Sequence, residues 1–321
     1  MIVARTPLRM SFMGGGSDRP EYIDACGPGR VVSAALSVYV YASAATRLVQ
    51  NGFRVAGSHL EDREFAEDIS HDLVREAIRM TGTRGAVELH TIAQLPLRGA
   101  GLGGSSATAI SLLHALHALR DEKTTRNELA AKACALEIDV LGQRIGRQDQ
   151  WACALGGVNV LRFHADTSVT YDRVALWREQ QRTLERHLLF IYGPPRPGWA
   201  SLVLESQTDW DAVRALAGLV PRMTIALEQA DMPAVGRLLS ESWHVKRGLS
   251  PGVSVLGVDA AYEQAMAEGA YGGKLCGAGG GGTLAMIVPP DRHEAVSQAV
   301  APLRTFHAGV DTRGSVIVYG R

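Results

Sequence analysis

The sequence predicts an α+β fold arranged in two domains. Segments with strand character and segments with helical periodicity are mixed along the chain, without the regular strand-helix-strand repetition of a parallel α/β sheet. A length of 321 residues fits about two domains. Charged and polar residues crowd together from Glu179 to Arg186. We therefore expect one domain over residues 1–182 and a second over residues 183–321.

The elements of the N-terminal part follow from local patterns. The run from Val31 to Thr46 is uncharged, rich in β-branched and aromatic residues, and shorter than the ~20 residues of a membrane-spanning helix, so it predicts a strand. Apolar residues at helical spacing predict a helix over Ala107 to Leu119. In order, we expect β-rich sequence to about Val55, a helix near Ser70 to Thr81, a strand over Val87 to Ile92, the helix just named, a helix over Arg126 to Gly142, a loop at Arg147 to Gln150, and strands over Val158 to Phe163 and Val169 to Leu176.

The C-terminal part shows the same mixture of patterns. It predicts strands over Leu188 to Tyr192, Leu284 to Val288 and Val316 to Tyr319, and helices near Trp210 to Ala230, Met232 to Trp243 and Asp259 to Glu268.

A glycine-rich segment directly precedes the helix that ends at Leu119. The segment from Leu95 to Thr108 reads LPLRGAGLGGSSAT. Glycines let the main chain approach a ligand closely, and the free amides at a helix N-terminus favour an anion, so we expect a polyphosphate there. A P-loop is excluded because its GxxxxGK[ST] pattern is missing, and Pro96 separates the glycines from the preceding strand, unlike in a dinucleotide site. An ordinary glycine-rich surface loop is the alternative.

Composition narrows the choice of partner and compartment. The 33 basic and 33 acidic residues cancel, so no overall field favours nucleic acid or an anionic membrane. The four cysteines are widely spaced and form neither a metal-type pair nor a disulfide framework. The N-terminus has no basic region followed by an apolar core, so we expect no signal peptide and a cytoplasmic protein.

Two further motifs change the interpretation of the glycine-rich segment. RTPLRMSFMGGGSDRPEY begins at Arg5, and GGKLCGAGGGGT begins at Gly272. Together, the three motifs resemble in order and spacing the signature of the GHMP small-molecule kinases. That resemblance implies a ribosomal-protein-like N-terminal domain, a ferredoxin-like C-terminal domain, an active site between them, and the cofactors ATP and Mg²⁺.

Within that superfamily the chain resembles sugar kinases of the D-glycero-D-manno-heptose 7-phosphate kinase type. The likeness rests on MGGGSD from Met13, LGQRIGRQDQ from Leu141 and WHVKRGLSPGVS from Trp243. It implies phosphorylation of the anomeric hydroxyl of a heptose 7-phosphate. Another aldose, such as a fucose-like or amino sugar, remains open as acceptor, as does a sensor that binds sugar and ATP without turnover. A homodimer is also open.

The resemblance assigns catalytic, metal-binding and nucleotide-binding roles to residues within the motifs and between them. Asp149 matches the catalytic base of related kinases, and Arg9 matches the arginine that faces the base and the transferring phosphoryl group. Glu137 matches the metal carboxylate, which we expect to act with Ser106, although Ser105 is also possible. A solvated helix position is the alternative for Glu137. The expected nucleotide-binding residues are Gly99, Gly101, Leu102, Gly103, Gly104, Ser105, Ser106 and Ala107.

Substrate recognition is expected from the motif that begins at Arg5, from the motif that begins at Gly272 and from the segment that begins at Trp243. Asp18 matches an aspartate that binds sugar hydroxyls in related kinases, with capping of a local turn as the alternative. Lys246 and Arg247 could hold a phosphate already on the sugar, or be solvated. The remaining expected substrate residues are Gly15, Gly16, Ser17, Gly279 and Gly280. The pair His114 and His117 has no third ligand, so we expect helix packing or exposure rather than a metal site.

Overall fold

The computed structural model describes residues 1–57, 59–97, 99–194, 208–250 and 252–320. Helices and strands are mixed along the described chain, as the sequence predicts. The strands are β1 Ile2–Met13, β2 Gly29–Thr46, β3 Phe53–Ala56, β4 Leu60–Arg63, β5 Val87–Ala93, β6 Val158–Phe163, β7 Val169–Arg173, β8 Leu188–Tyr192, β9 Gly272–Leu275, β10 Thr283–Ile287, β11 Arg304–Phe306 and β12 Val316–Tyr319. The α-helices are α1 Pro20–Cys26, α2 Asp72–Thr81, α3 Gly104–Leu119, α4 Arg126–Cys134, α5 Gln148–Leu155, α6 Arg178–His187, α7 Trp210–Gly218, α8 Val220–Glu228, α9 Met232–Gly248, α10 Leu256–Ala267 and α11 His293–Ala299.

The first sheet has eight strands and is centred on the long strand β2. The order β12-β1-β2-β5-β3-β4 runs across it, and β6 pairs with the first part of β2 and with β7. Helix α3 packs against β1 and β2. The apolar positions that predicted this helix, Ile110, Leu113 and Leu116, are fully buried. The glycine-rich segment therefore ends against the centre of the sheet.

The second sheet has four antiparallel strands in the order β11-β8-β10-β9. Its strands follow one another in the chain as β8, β9, β10 and β11, with helices between β8 and β9 and between β10 and β11. This is the split βαββαβ arrangement of a ferredoxin-like domain, as the family resemblance implies. Leu275 and Leu284 belong to a second, smaller apolar core, called the outer core below. Cys276 and Ala285 belong to the large core of the first sheet.

The expected division between residues 182 and 183 lies inside α6, which leads directly into β8. The last strand, β12, returns to pair with β1 of the first sheet. Both ends of the described chain thus meet in the first sheet. The division at this position stays a prediction.

Three predicted elements differ most from the structure. The expected loop at Arg147 to Gln150 is the start of α5, because Trp151, Cys153 and Leu155 are buried beneath it. The predicted helix over Arg126 to Gly142 is α4 followed by a π-helical segment, Ala135–Val140. The predicted helix from Trp210 to Ala230 is two helices, α7 and α8, and Pro221 stands at the start of the second.

The cysteines and the histidine pair agree with the sequence analysis. All four cysteines are free thiols. His114 bonds Ser315, and His117 bonds Glu122 and Lys132, so both histidines serve packing, as expected. None of the helices in the described part of the chain is long and apolar enough to cross a membrane.

Candidate active site

The phosphate loop, residues 99–107, turns directly into α3. Gly103 is the N-cap of this helix and has φ 74°, a left-handed conformation that glycine adopts at little cost. No side chain among the described residues caps the helix, so its first amides are available to an anion. The side chains of Leu102 and Ala107 are buried in the core, and these two residues can offer a ligand only their main chain.

Arg9 connects the phosphate loop to Asp149. Its Nε donates to Asp149 Oδ1 at 2.7 Å and its Nη2 donates to Oδ2 at 2.6 Å, a bidentate pair. Its Nη1 donates to the Gly101 carbonyl at 2.8 Å, and its main-chain amide donates to the Leu102 carbonyl at 3.0 Å. Burial disfavours the Arg9 charge, yet the facing Asp149 carboxylate holds its pKa above the ordinary value. The carboxyl group thus lies beside the glycine turn.

The Asp149 side chain remains accessible while its partner is buried. It is 26% exposed, against 5% for Arg9. Its position in the first turn of α5 aims the carboxylate at the junction of β1 and the phosphate loop. A carboxylate oriented in this way can accept a proton from a ligand hydroxyl without leaving its arginine partner.

Glu137 lies in the π-helical segment and is fully buried beside the phosphate loop. The Ser105 hydroxyl donates to Oε1, the Ser106 hydroxyl donates to Oε2 at 2.7 Å, and Gln150 Nε2 donates to Oε2 at 2.6 Å. Burial raises the pKa of Glu137, and these three hydrogen bonds partly offset the effect. The alternative of a solvated helix position is therefore wrong. Both serines contact the carboxylate, and Ser105 is the more exposed of the two.

Asp18 is held next to the catalytic candidate. Gln148 donates to it twice, from its main-chain amide to Oδ2 at 3.1 Å and from Nε2 to Oδ1 at 2.8 Å, and the Gly16 amide donates to Oδ1 at 3.2 Å. Burial raises the pKa of Asp18. A Cβ at Gly146 would lie 1.9 Å from Asp18 Oδ2, so any larger residue at this position would displace the Asp18 carboxylate. Gln148 and Asp149 are neighbours, and the Asp18 carboxylate is therefore fixed against the start of α5.

The first glycine loop has a structural anchor. The Ser17 hydroxyl shares its one proton between the Gly14 carbonyl at 2.8 Å and the Arg30 carbonyl at 3.0 Å, and it accepts from the Arg30 amide. These bonds use the hydroxyl to tie the loop to β2. Gly15 lies between Ser11 and Gln148, since a Cβ there would be 3.6 Å from Ser11 Oγ and 3.9 Å from Gln148 Nε2.

The C-terminal glycine loop, residues 277–282, packs on the phosphate loop. The Thr283 amide donates to the Ala100 carbonyl at 3.0 Å, and the Gly280 amide donates to the Val253 carbonyl at 2.8 Å. A Cβ at Gly279 would lie 2.8 Å from Val253 Cα. The structure thus brings all three sequence motifs together.

Lys246 and Arg247, at the end of α9, have partners within the chain. The Lys246 ammonium donates to the Gly277 carbonyl, which places it against the C-terminal glycine loop. Arg247 forms an ion pair of 3.3 Å with Asp259, whose Oδ1 also accepts from the Ser254 hydroxyl at 2.6 Å. The two cations therefore differ: Lys246 contacts the glycine loop, and Arg247 is already paired.

A cavity of about 870 Å³ opens beside the phosphate loop. Its volume is in the range of small-molecule sites. Its walls come from β5, from the segments after β3 and after the π-helical segment, from the start of α2, and from the phosphate loop with the start of α3. The lining residues include His59, Ile92, Leu97, Gly99, Ser105 and Leu141.

Sequence reasoning missed three polar residues of the site. Ser11 Oγ, Gln148 Oε1 and Gln150 Oε1 are buried atoms without a hydrogen-bond partner among the described residues. An unsatisfied buried oxygen is costly, and a ligand is one way to satisfy it. The QDQ triplet around Asp149 was the available signal for both glutamines. Ser11 carried none, because only the strand alternation that puts it on the Arg9 side of β1 reveals it.

Comparison with known proteins agrees with this geometry. The family described as GHMP kinases N terminal domain matches residues 69–157, and the family described as GHMP kinases C terminal matches residues 223–304. The chain belongs to the GHMP kinases. It is therefore a kinase, and ATP is the phosphate donor of this family.

Individual relatives are similar along most of the chain. A D-glycero-alpha-D-manno-heptose 7-phosphate kinase of Campylobacter jejuni is 28% identical over 310 residues, 91% of this chain and 90% of that protein. An L-fucokinase/L-fucose-1-P guanylyltransferase of Bacteroides fragilis is 24% identical over 89% of this chain and 34% of its own length. The crystal structure of a D-glycero-D-manno-heptose 1-phosphate kinase from Bacteroides thetaiotaomicron superposes with a TM-score of 0.81 at 21% identity, covering all of both chains. This last likeness confirms the fold.

Proposed function

We propose that the chain transfers the terminal phosphoryl group of ATP to the anomeric hydroxyl of a sugar, with D-glycero-D-manno-heptose 7-phosphate as acceptor and the 1,7-bisphosphate as product. One observation carries the proposal: a single buried arginine, Arg9, bonds both the Asp149 carboxylate and the Gly101 carbonyl. A proton acceptor and an anion-binding loop are thereby held as one unit. The 28% identity to a heptose 7-phosphate kinase supports the choice of acceptor.

Asp149 acts as the base in this reaction. As the acceptor oxygen attacks the phosphorus, its proton passes to the Asp149 carboxylate, a new O–P bond forms, and the bond from phosphorus to the ADP oxygen breaks. Arg9 keeps the carboxylate oriented through its two N–H groups. Its positive charge also offsets the negative charge of the nucleotide phosphates.

The nucleotide occupies the phosphate loop and the cavity beside it. The free amides at the start of α3 bind the phosphates, which the helix dipole also favours. The apolar walls of the cavity, which include Ile92, Leu97 and Leu141, suit the flat face of a purine. In this proposal the phosphates lie between the cavity and Asp149.

The residues around Glu137 fit a magnesium ion. Mg²⁺ prefers oxygen ligands and in proteins often takes one or two carboxylates together with waters and substrate phosphates. Glu137 offers a carboxylate, Ser105 and Ser106 offer hydroxyls, and the unpartnered Gln150 Oε1 offers a further oxygen. When bound, the ion would supply positive charge to the phosphate oxygens. The protein contributes a buried carboxylate held in place by its three hydrogen bonds.

The acceptor binds at the first glycine loop. The Asp18 carboxylate, Gln148 Oε1 and Ser11 Oγ provide hydrogen-bonding groups for sugar hydroxyls beside Asp149. Because Gln148 Nε2 donates to Asp18, its Oε1 faces away from that carboxylate and is available as an acceptor. Lys246, against the C-terminal glycine loop, would hold the phosphate that the acceptor already carries.

One observation favours a different acceptor. Arg247 is paired with Asp259, so its charge is already compensated within the chain. An acceptor without a phosphate, such as a fucose-like sugar, would need no second cation. The similarity to an L-fucokinase over 89% of this chain agrees with this second candidate.

The test is a measurement of ADP release with purified protein, Mg²⁺ and ATP. The acceptor panel contains D-glycero-D-manno-heptose 7-phosphate, the same heptose without its phosphate, mannose, L-fucose and an N-acetylated amino sugar. The proposal predicts the highest kcat/KM with the heptose 7-phosphate and a new phosphate on its anomeric carbon, assigned by ³¹P and ¹³C NMR. Highest kcat/KM with fucose would select the second candidate. Absence of turnover with every sugar, in a folded protein, would contradict both.

A further inference from the structure

Lys274 is a buried cation in a position that the reaction described so far does not use. Of the four lysines of the chain, all of them described, it is the only buried one, at 4% exposure. It lies in β9, and its ammonium donates to the Phe12 carbonyl at 3.4 Å, at the end of β1. An ammonium carries three N–H donors, so one long hydrogen bond leaves most of its capacity unused.

Within the described part of the chain, no charge compensates Lys274. Among the described residues, no carboxylate lies within 4.0 Å of its nitrogen. Its charged and titratable neighbours are Arg9 on β1 and Cys276 just after β9. Burial lowers the pKa of Lys274 to about 8, and the positive charge of Arg9 acts in the same direction. Burying a charge without a partner is costly, and a chain that retains such a group needs a compensating anion or a function for it.

The position of Lys274 in the sheet points its side chain toward the active site. Lys274 pairs with Ala285 across the sheet, so the two side chains lie on the same face. Thr283, two residues before Ala285, shares that face. Cys276 and Ala285 on this face pack into the core of the first sheet, whereas Leu275 on the other face packs into the outer core.

A second unsatisfied group lies on the same face. The Thr283 side chain is fully buried, and its hydroxyl oxygen has no hydrogen-bond partner among the described residues. The Thr283 amide donates to the Ala100 carbonyl of the phosphate loop. An ammonium with unused donors and an unpartnered hydroxyl therefore occupy one sheet face, at the place where β1, the phosphate loop and the C-terminal glycine loop meet.

We propose that Lys274 donates a hydrogen bond to an oxygen of the phosphoryl group during its transfer, next to Arg9. This inference rests on the proposed kinase reaction and adds a catalytic residue to it. The ammonium gives up no proton and forms no bond; it stabilises the negative charge on the oxygens as the group moves from ADP to the acceptor. In the chain without nucleotide, the uncompensated Lys274 ammonium is then a binding group already in place for the phosphoryl oxygens.

The test compares Lys274→Met with the wild type and with a control, Lys123→Met. Lys123 is exposed, so its replacement removes the same charge from a solvent-accessible position. Three quantities are measured: kcat with the acceptor that the panel selects, the Kd of MgATP and MgADP by calorimetry, and the Tm without nucleotide. Loss of one preorganised donor to the transferring group predicts a fall in kcat of about 10²- to 10³-fold. We also expect K274M to bind MgATP about tenfold more weakly, with little change for MgADP, and to melt no lower than the wild type.

Three results would overturn the proposal. A K274M chain that fails to fold, or melts well below both other proteins, would make Lys274 a structural residue that joins β9 to β1. Equal losses of MgATP and MgADP affinity would place its contact away from the terminal phosphate. A wild-type kcat in K274M would exclude a role in transfer. The wild-type chain alone tests the kinase reaction, and the comparison of MgATP with MgADP requires no acceptor, so failure of either proposal is recognised separately.

Discussion

Replacement of Asp149 by asparagine tests the central contact of the site. The change keeps the shape of the side chain but removes its charge and one of the two acceptors that Arg9 uses at 2.6 and 2.7 Å. Removing one partner of a fully buried ion pair costs about 3–5 kcal/mol. Asp149 is 26% exposed and Arg9 keeps the Gly101 carbonyl, so we expect a smaller loss of unfolding free energy, about 2 kcal/mol.

The effect of this variant on catalysis should be larger than its effect on stability. Loss of a general base lowers kcat by about 10²- to 10⁴-fold. The Kd for ATP should stay close to that of the wild type, because the phosphate loop and the cavity are unchanged. Turnover is followed by ADP release, stability by urea unfolding and ATP binding by calorimetry.

The matched control is Asp211→Asn. Asp211 also forms an ion pair with an arginine, Arg214, but the two side chains are 86% and 56% exposed. Solvent screens such a pair, so this variant should resemble the wild type in stability and turnover. An Asp149→Asn protein with turnover within tenfold of the wild type would refute the assignment of Asp149 as base. Equal losses of turnover and ATP affinity would also refute it.

Three further predictions follow from the geometry. Gly146→Ala would place a methyl group 1.9 Å from Asp18 Oδ2, so the KM of the acceptor should rise at least about tenfold while the KM of ATP is unchanged. Both values are measured by steady-state kinetics with each substrate varied in turn, and an equal rise of the two KM values would contradict the reasoning. Glu137→Gln should raise the Mg²⁺ concentration for half-maximal turnover by about tenfold or more, measured by Mg²⁺ titration at saturating ATP, and an unchanged midpoint would remove Glu137 from the metal site. Between pH 8 and 10.5 the unfolded chain keeps a proton on Lys274 that the folded chain has lost, because burial lowers the pKa of this lysine. The unfolding free energy of the wild type relative to K274M should therefore rise with pH, by at most about 3 kcal/mol. A difference in unfolding free energy that stays constant or falls would show that burial does not destabilise the ammonium.

Secondary structure was predictable where one pattern dominated. The strand over residues 31–46 and the helix after the phosphate loop were correctly predicted, because β-branched runs and helical apolar spacing persist over many residues. The segment at Arg147 was assigned as a loop because of its polar residues and flanking glycines. It is a helix because burial of Trp151 and Leu155 outweighs the weak local preference.

The π-helical segment shows a different limit. Its residues continue the periodicity of α4, so the sequence predicted one helix over the whole stretch. Local widening to an i→i+5 hydrogen-bonding pattern changes the direction of side chains without changing composition. This change accompanies the burial of Glu137 against Ser105, Ser106 and Gln150. The family resemblance implied that Glu137 acts with one of the two serines, but the sequence indicated neither its burial nor its contact with Gln150.

The amino-acid sequence by itself determined the order of the three glycine motifs, the family, and the residue types available for catalysis, because these depend on neighbours along the chain. The family resemblance implied that Arg9 faces Asp149. Tertiary structure alone decided that Asp18 meets Gln148 and that Lys274 meets the end of β1. The partners in each pair are more than one hundred residues apart. Contacts over such separations arise from the pairing of strands and the packing of helices onto them, and the charge that each side chain carries in the fold depends on that burial.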